Sequence, residues 1–387
     1  MTRSISASFQ RVFTLSVLLA LALPRAARTE DVVSYKFQTW QEDGGRIRVD
    51  AHYALAEKDL GLSTRLKVTG LVDAIAGATP NGQPAPEGSD QVPLSRLTER
   101  RKAWSADFSH QFSRTSVALG YAVSRESDYI SKGLSVNTLT DFNEKNTTLI
   151  FGYARVDDDI TARFLPAPRT KTGDDFVLGV TQLLNARTTL TFNVTYGVAD
   201  GFMSDPYKII QKNVELFPGL FLALTFPENR PKHREKWVVF TGTNLAVDRL
   251  KGALDASYRY YHDNFGTDSH TVALEWFQSI GDHLIVRPSL RFYRQSAASF
   301  YHITLDGTSI DPLDPASGRA PFYSADYRLS KLDTLNAGIK IVWNIIPDRL
   351  AVDATYERYT MTGRDGRTSA SAYPDANVFT FGGRYSW

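Results

Sequence analysis

Asn377-Val378-Phe379-Thr380-Phe381-Gly382-Gly383-Arg384-Tyr385-Ser386-Trp387 closes the chain. Successive side chains of a strand point to opposite sides, so Phe379, Phe381, Tyr385 and Trp387 share one face and Thr380, Gly382, Arg384 and Ser386 the other. Amphipathic strands are common, but an aromatic as the last residue of a whole chain is not. A barrel in a bilayer needs this kind of ending. Its last strand must pair with the first to leave no edge in lipid, and its outer face must be apolar. The expectation is a closing strand over 377–387 that is read by the barrel-assembly machinery through the end at Trp387.

The same period of two runs back through the chain. Ile47, Val49, Ala51, Tyr53 and Leu55 alternate with Arg46, Arg48, Asp50, His52 and Ala54; Leu190, Phe192, Val194 and Tyr196 alternate with threonines and Asn193. Many segments run to about ten residues, longer than the five or six usual in soluble sheets and close to what a tilted strand needs to cross a bilayer. The reading is an all-β, transmembrane, antiparallel up-and-down barrel of about sixteen strands, with short periplasmic turns and long extracellular loops. The strands are expected at 32–40, 46–55, 60–71, 103–112, 115–124, 146–155, 160–165, 175–183, 189–197, 235–244, 251–261, 269–278, 284–294, 333–343, 350–360 and 377–387. Segment 160–165 is included because parity then puts the tight turns, among them 56–59, 156–159 and 184–188, on one side with both termini. Trp40, Trp104 and Trp237 then mark the outer rim and Trp276, Trp343 and Trp387 the inner one, as two aromatic girdles. If the first tight turn centres between Glu57 and Lys58, Ile47 faces Val68 and Tyr53 faces Leu62, with Asp50 opposite Arg65 and Arg48 opposite Lys67.

The 387 residues carry 44 Lys+Arg, 42 Asp+Glu and no Cys. A near-zero balance provides no field for gathering nucleic acid, and the lack of Cys excludes disulfides, thiolate metal sites and covalent haem. Residues 1–27 read as a signal peptide: Arg3 and Arg11 precede the apolar run Val12 to Leu23, too short for a membrane helix, and small residues offer cleavage after 22 or 27. Residues 28–387 then form a single barrel, in contact with outer-membrane lipid and lipopolysaccharide.

Assigning the apolar sets to lipid leaves a polar interior. Its expected lining is Arg48, Asp50, Arg65, Lys67, Asp107, Asp255, Arg259, Glu275, Arg287, Arg291, Lys340, Asp353, Glu357 and Arg384, either a channel whose charges set selectivity or a charge-paired filling. The excess of Arg46, Arg48, Arg65 and Lys67 over Asp50, with Arg384 brought near by closure, suggests an anion-attracting wall. His262, Asp263, Asp268 and His270 lie within nine residues and could hold a metal. Strand parity instead puts His270 with Val272, Leu274 and Trp276, so an interfacial hairpin with Asn-Phe-Gly turn chemistry is the preferred reading. Ser269 beside His270 would face opposite sides, which argues against a hydrolase. Asp157-Asp158-Asp159 is expected in a periplasmic turn, and Asp306, Asp311 and Asp314 in an outer loop where divalent cations could bridge lipopolysaccharide. No cofactor motif and no catalytic constellation appears.

Several stretches carry a resemblance: Asp73-Ala74-Ile75-Ala76-Gly77-Ala78-Thr79-Pro80-Asn81-Gly82, Ser127-Asp128-Tyr129, Asp141 to Thr148, Ser204-Asp205-Pro206-Tyr207-Lys208, and Tyr258 to Asp263 through His270-Thr271. Together they resemble the bacterial outer-membrane barrel family catalogued as domain of unknown function 3570, over nearly the whole mature chain. The resemblance implies a barrel of unknown role, in gene neighbourhoods with flavin-transferring and thioredoxin-like proteins, and so a link to envelope redox work. These stretches are expected mostly at the outer rim. Two functions follow as expectations: a porin-like transport channel with a mixed-charge lumen, or a non-transporting barrel that scaffolds an envelope partner.

Overall fold

The computed structural model describes residues 31–313 and 321–387. The expected signal segment 1–27 and Asp314 lie outside them. Among the described residues the strands are β1 Val32–Glu42, β2 Ile47–Asp59, β3 Thr64–Pro80, β4 Leu94–Phe112, β5 Thr115–Arg125, β6 Tyr129–Phe142, β7 Thr147–Ile160, β8 Arg169–Asn185, β9 Thr188–Gly201, β10 Ile209–Phe217, β11 Leu220–Pro227, β12 His233–Val247, β13 Gly252–Asp263, β14 Asp268–Ile280, β15 Leu284–Gln295, β16 Leu332–Ile346, β17 Leu350–Gly363 and β18 Ala376–Ser386. Strands β1–β9 and β12–β18 close into one sixteen-strand antiparallel barrel, while β10 and β11 make a separate hairpin.

Closure follows the last strand's chemistry. Phe37 pairs with Phe381 and Val33 with Tyr385, and the backbones of Asp31 and Trp387 exchange hydrogen bonds at 3.1 Å in both directions. Facing is then inherited from strand to strand. Phe379, Phe381 and Tyr385 stand outward and exposed, as do Phe108, Leu119, Phe151, Leu178, Phe192, Leu274, Ile339 and Ile341 around the wall. An apolar surface this extensive is far beyond what a soluble monomer exposes, and hydrocarbon is the environment that suits it.

The strand count is as expected, but its composition is not. No strand forms over 160–165: Ile160 ends β7, and 161–168 is a loop. The missing member is β6. Its outward positions include Lys132, Thr138 and Thr140, and its inward ones Ser131, Gly133, Ser135 and Asn137, which reads as a polar loop because neither face is strongly apolar. The error and the omission cancel in parity beyond them, so β8 onward keep their directions, while β7 runs the opposite way to the expectation. One consequence is that 156–159 is not a turn. Asp157-Asp158-Asp159 continues β7 to the outer rim, where Asp158 turns inward to Tyr129 Oη at 2.6 Å and Lys171 at 2.9 Å. Likewise the stretch Asp141 to Thr148 crosses the periplasmic turn 143–146 rather than lying at the outer rim.

The first hairpin is longer than expected. Its turn is 60–63, with Gly61 at φ +97°, and Ile47 faces Gly77, Tyr53 faces Leu71 and Asp59 faces Arg65. Charge matching selects this register: on the inner face Arg65 bonds Asp59 at 2.5 Å and approaches Glu57 at 3.6 Å. Trp40 also departs from expectation. It points inward against Tyr359, with ring centroids 5.0 Å apart, because β1 inherits its facing from β18. Trp104 and Trp237 remain outward, each beside a tyrosine, Tyr121 and Tyr196.

Candidate functional site: the lumen and its outer cap

The lumen has two unlike walls. Along β5–β9 most inward positions are small or hydroxylated, among them Ala118, Gly120, Ala122, Gly133, Ser135, Gly152, Ala154, Val177 and Gly179, with Asn137, Asp158, Asp175 and Asn193 as polar exceptions. The wall from β13 round to β1 carries the charges. Asp255, Arg259, Glu275, Arg287, Arg291, Lys340, Asp353, Glu357 and Arg384 all fall on inward positions there, joined by Lys36; Arg65, Lys67 and Asp107 are inward on β3 and β4. Much of this charge is matched. Lys340 meets Asp353 at 2.8 Å and Lys236 meets Asp175 at 2.7 Å; Arg287 pairs with Glu275, and Asn336 donates to Glu357 at 2.8 Å. Among the described residues no ion pair forms at Arg259, Arg291, Lys36 or Arg384.

Arg48 and Asp50 are not in the lumen. They stand outward at the upper end of β2, ion-paired with each other at 3.0 Å, because β2's facing follows β1's: Gln41 lies opposite Arg48 and Thr39 opposite Asp50. The apolar set Ile47, Val49 and Ala51, assigned to lipid from sequence, faces inward there and is covered from above, with Ile47 only 5% exposed. The anion-attracting wall is dispersed with them. Arg46 is spent on the carbonyls of Ser371 and Ala372, and Arg65 on Asp59 and Glu57.

The four metal candidates do not converge. His262, Asp268 and His270 are outward, His262 bonded to Asp268 at 2.9 Å and His270 to Tyr258 at 2.7 Å. Asp263 is inward and 1% exposed. It accepts from Arg234, from Tyr261 Oη at 2.7 Å and from the amides of Phe265 and Thr267 at 3.1 and 3.0 Å, which sets the β13–β14 turn. No cluster of three or more potential metal ligands occurs among the described residues.

The connections 72–102, 198–234 and 295–332 are long enough in the sequence to fold into the mouth, but the pairs that join them were not legible there. The outer connections meet over the mouth rather than standing apart. Ile209 of the β9–β12 connection donates its amide to Asn81 of the β3–β4 connection at 2.9 Å, and Lys208 reaches the carbonyl of Pro80. Arg328 of the β15–β16 connection binds Asp205 at 2.9 Å. Tyr301 bonds Thr368, Ser330 bonds Tyr373 and Val92 donates to Ser371. Tyr301–Thr368 and Ser330–Tyr373 tie neighbouring loops, since β16 pairs with β17, whereas the Ile209–Asn81, Lys208–Pro80, Arg328–Asp205 and Val92–Ser371 contacts join loops rooted on non-adjacent strands and so cross the opening. Gly82, at φ +104°, makes the closest approach possible: a Cβ there would lie 2.0 Å from the carbonyl oxygen of Ile209.

At the centre of the cap is a buried ionic cluster. Arg230 bonds Glu228 at 2.7 Å and Asp326 at 2.9 Å, and Arg328 bonds Asp326 at 2.6 Å. Ser324 donates to Glu228, and Lys208 lies over the Tyr327 ring at 5.7 Å. Burial opposes ionisation of Asp326, but Arg328, Lys208 and Arg230 overrule it and hold the carboxyl far below the carboxylate range. Burial pushes Glu228 up and Lys208 down. A cluster that leaves no charge unmatched fixes one arrangement of the loops, since removing any partner strands another in a dry site.

A closed barrel with an apolar outer wall, a charged lumen and a capped mouth has the architecture of a bacterial outer-membrane β-barrel. The chain belongs to the family described as "Protein of unknown function (DUF3570)", whose profile matches residues 13–172 and 166–379. No curated protein matches the sequence. Among solved structures it is similar to the siderophore receptor PirA from Pseudomonas aeruginosa (11% identity, TM-score 0.45, covering 93% of this chain and 62% of that one). It is also similar to a bacterial polysaccharide outer membrane secretin (11%, 0.48, 94% and 100%) and to the CymD monoaromatic hydrocarbon channel (11%, 0.43, 93% and 89%). The chain spans about three fifths of the length of the siderophore receptors it resembles. At these identities the likeness is one of fold alone.

Proposed function

We propose that the chain is exported through its N-terminal segment, assembled through its last strand into the bacterial outer membrane, and acts there as a gated channel with a mixed-charge lumen and no catalytic role. The observation that supports this is the pairing of a charged, hydroxyl-rich interior with loops that lock across the outer mouth through the Arg230–Asp326–Arg328 cluster. A barrel that only anchored its strands would need neither. In planar bilayers the intact protein is expected to conduct rarely, and a variant with 209–227 replaced by a short Gly-Ser linker at least about tenfold more often, the effect of losing roughly 1.4 kcal/mol of closure. An uncapped variant that stays silent would remove the reading.

A second reading, a scaffold for an envelope partner, has its own support. The β10–β11 tip exposes Phe217 and Phe221 at 68% and 61%. Co-purification of a protein only with the intact tip, together with silence of the uncapped barrel, would replace the channel by this alternative.

A further inference from the structure

We propose that the lumen beneath the cap contains a binding site for an organic carboxylate with an apolar body, and that Arg259 is the group that recognises the carboxylate. The site rests on the channel reading only for its physiological use; the chemistry of binding stands apart from conduction.

Arg259 projects inward from β13, level with Phe240 on β12 and Thr271 on β14. With Tyr261 it lines a cavity whose far side is the small-residue wall, including Gly133, Gly152, Ala154 and Val177. The other basic groups lining the cavity are matched. Lys236 holds Asp175 at 2.7 Å, and Arg155 holds Asp157 and Asp174 at 3.2 and 3.3 Å; Asp107 lies opposite Lys67 in the β3–β4 ladder. Arg259 has no counterpart among the described residues. Its Nε is buried with no acceptor, and the full charge acting on it is another cation, Arg291.

A guanidinium withdrawn from water beside a like charge, with a buried N–H left unpaired, is costly. A carboxylate offers what it lacks: two acceptor oxygens in the planar spacing of the fork, and a neutralising charge. The remainder of the ligand would lie against a wall mostly of glycine, alanine and valine, with Ser105, Ser135, Asn137 and Thr195 interspersed, so its body must be largely apolar with few hydrogen bonds to satisfy. Gly120 is crowded by Ser135 and Asp107, whereas the wall at Gly133 is open. At Gly133 an added Cβ would meet nothing nearer than 3.7 Å, so a side chain placed there enters the groove without disturbing the wall.

The test is calorimetry on the intact folded protein in lipid nanodiscs, with 3-phenylpropionate, its neutral amide and acetate as probes. The aromatic carboxylate is expected to bind, with the amide and acetate each at least tenfold weaker. Arg259→Gln should lose at least tenfold in affinity and Arg259→Lys less, whereas Arg384→Gln on the same wall should bind as the parent does. Gly133→Leu keeps the cation and fills the groove. It should abolish binding, and it decides the matter if Arg259→Gln does not fold. Equal binding by parent and Arg259→Gln, by carboxylate and amide, or by 3-phenylpropionate and acetate would overturn the proposal, as would full affinity in Gly133→Leu. Binding without conductance would fail the channel reading alone, and conductance without binding would fail this site alone.

Discussion

Asp263 shows how one side chain can settle a local structure. Its carboxylate holds Arg234, caps Tyr261 and gathers two turn amides. Asp263→Ala strands Arg234 in a nearly dry site and frees the turn, a loss of about 3 kcal/mol by the usual cost of breaking a buried pair; chemical denaturation of the folded barrel would measure it, and a loss below a few tenths would contradict this account. In the sequence Asp263 stands among His262, Asp268 and His270 as a metal candidate. Parity separates them, since Asp263 is odd on β13 and inward while His262 is even and outward. The identity of Asp263's partner was illegible, because Arg234 lies on another strand. Gly82 makes the same point for backbone. Asn81-Gly82 reads as a turn pair, but its φ and the contact with Ile209 serve the cap. Gly82→Ala should undock the β10–β11 hairpin, seen as new protease cleavage within 209–227.

Strands were legible where one face was strongly apolar and illegible where neither was. β18 and β9 announce themselves through alternating aromatics. β6 carries Ser, Gly, Asn and Thr, since the lumen wall it forms is built of small side chains, and it was read as a loop. The absence of Cys permits a direct check. Ser135→Cys should react with a charged, water-soluble thiol reagent and Leu134→Cys should not, because Ser135 faces the lumen and Leu134 stands 59% exposed on the outer wall. The reverse pattern would mean β6 is turned over. Arg48 and Asp50 were misplaced for a different reason. The whole of β2 is turned over relative to its alternation, Ile47, Val49, Ala51, Tyr53 and Leu55 all facing inward, because its facing is set by its pairing with β1 and not by its own apolar set.

For the whole molecule, the cap couples the barrel to pH. Burial, with Arg367 nearby, lowers the pKa of His302 below its ordinary 6.5. At His302 the folded cap therefore binds fewer protons than the loosened one, so that group's contribution falls as pH drops from 6.5 through the depressed folded-state pKa, while Glu228, raised by burial, contributes in the opposite sense. Asp326 adds a second loss below pH 3.8, where its ordinary carboxyl would take a proton that the cluster resists. The ratio of protease access to 296–313 at pH 5 over that at pH 7 should therefore be lower in His302→Gln than in the parent protein. The cap as a whole was the least legible feature, since its cohesion comes from pairs such as Asp205 with Arg328 and Pro80 with Lys208, more than a hundred residues apart in the chain.

The seam between β1 and β18 has a consequence for biogenesis. Its two halves lie at opposite ends of the polypeptide, so β1 leaves the ribosome with every edge amide unanswered and stays so until the last eleven residues arrive. Cylinder formation cannot precede release of the finished chain. Until β18 meets β1, an unclosed sheet leaves unpaired backbone at both of its edges, the kind of surface that invites association.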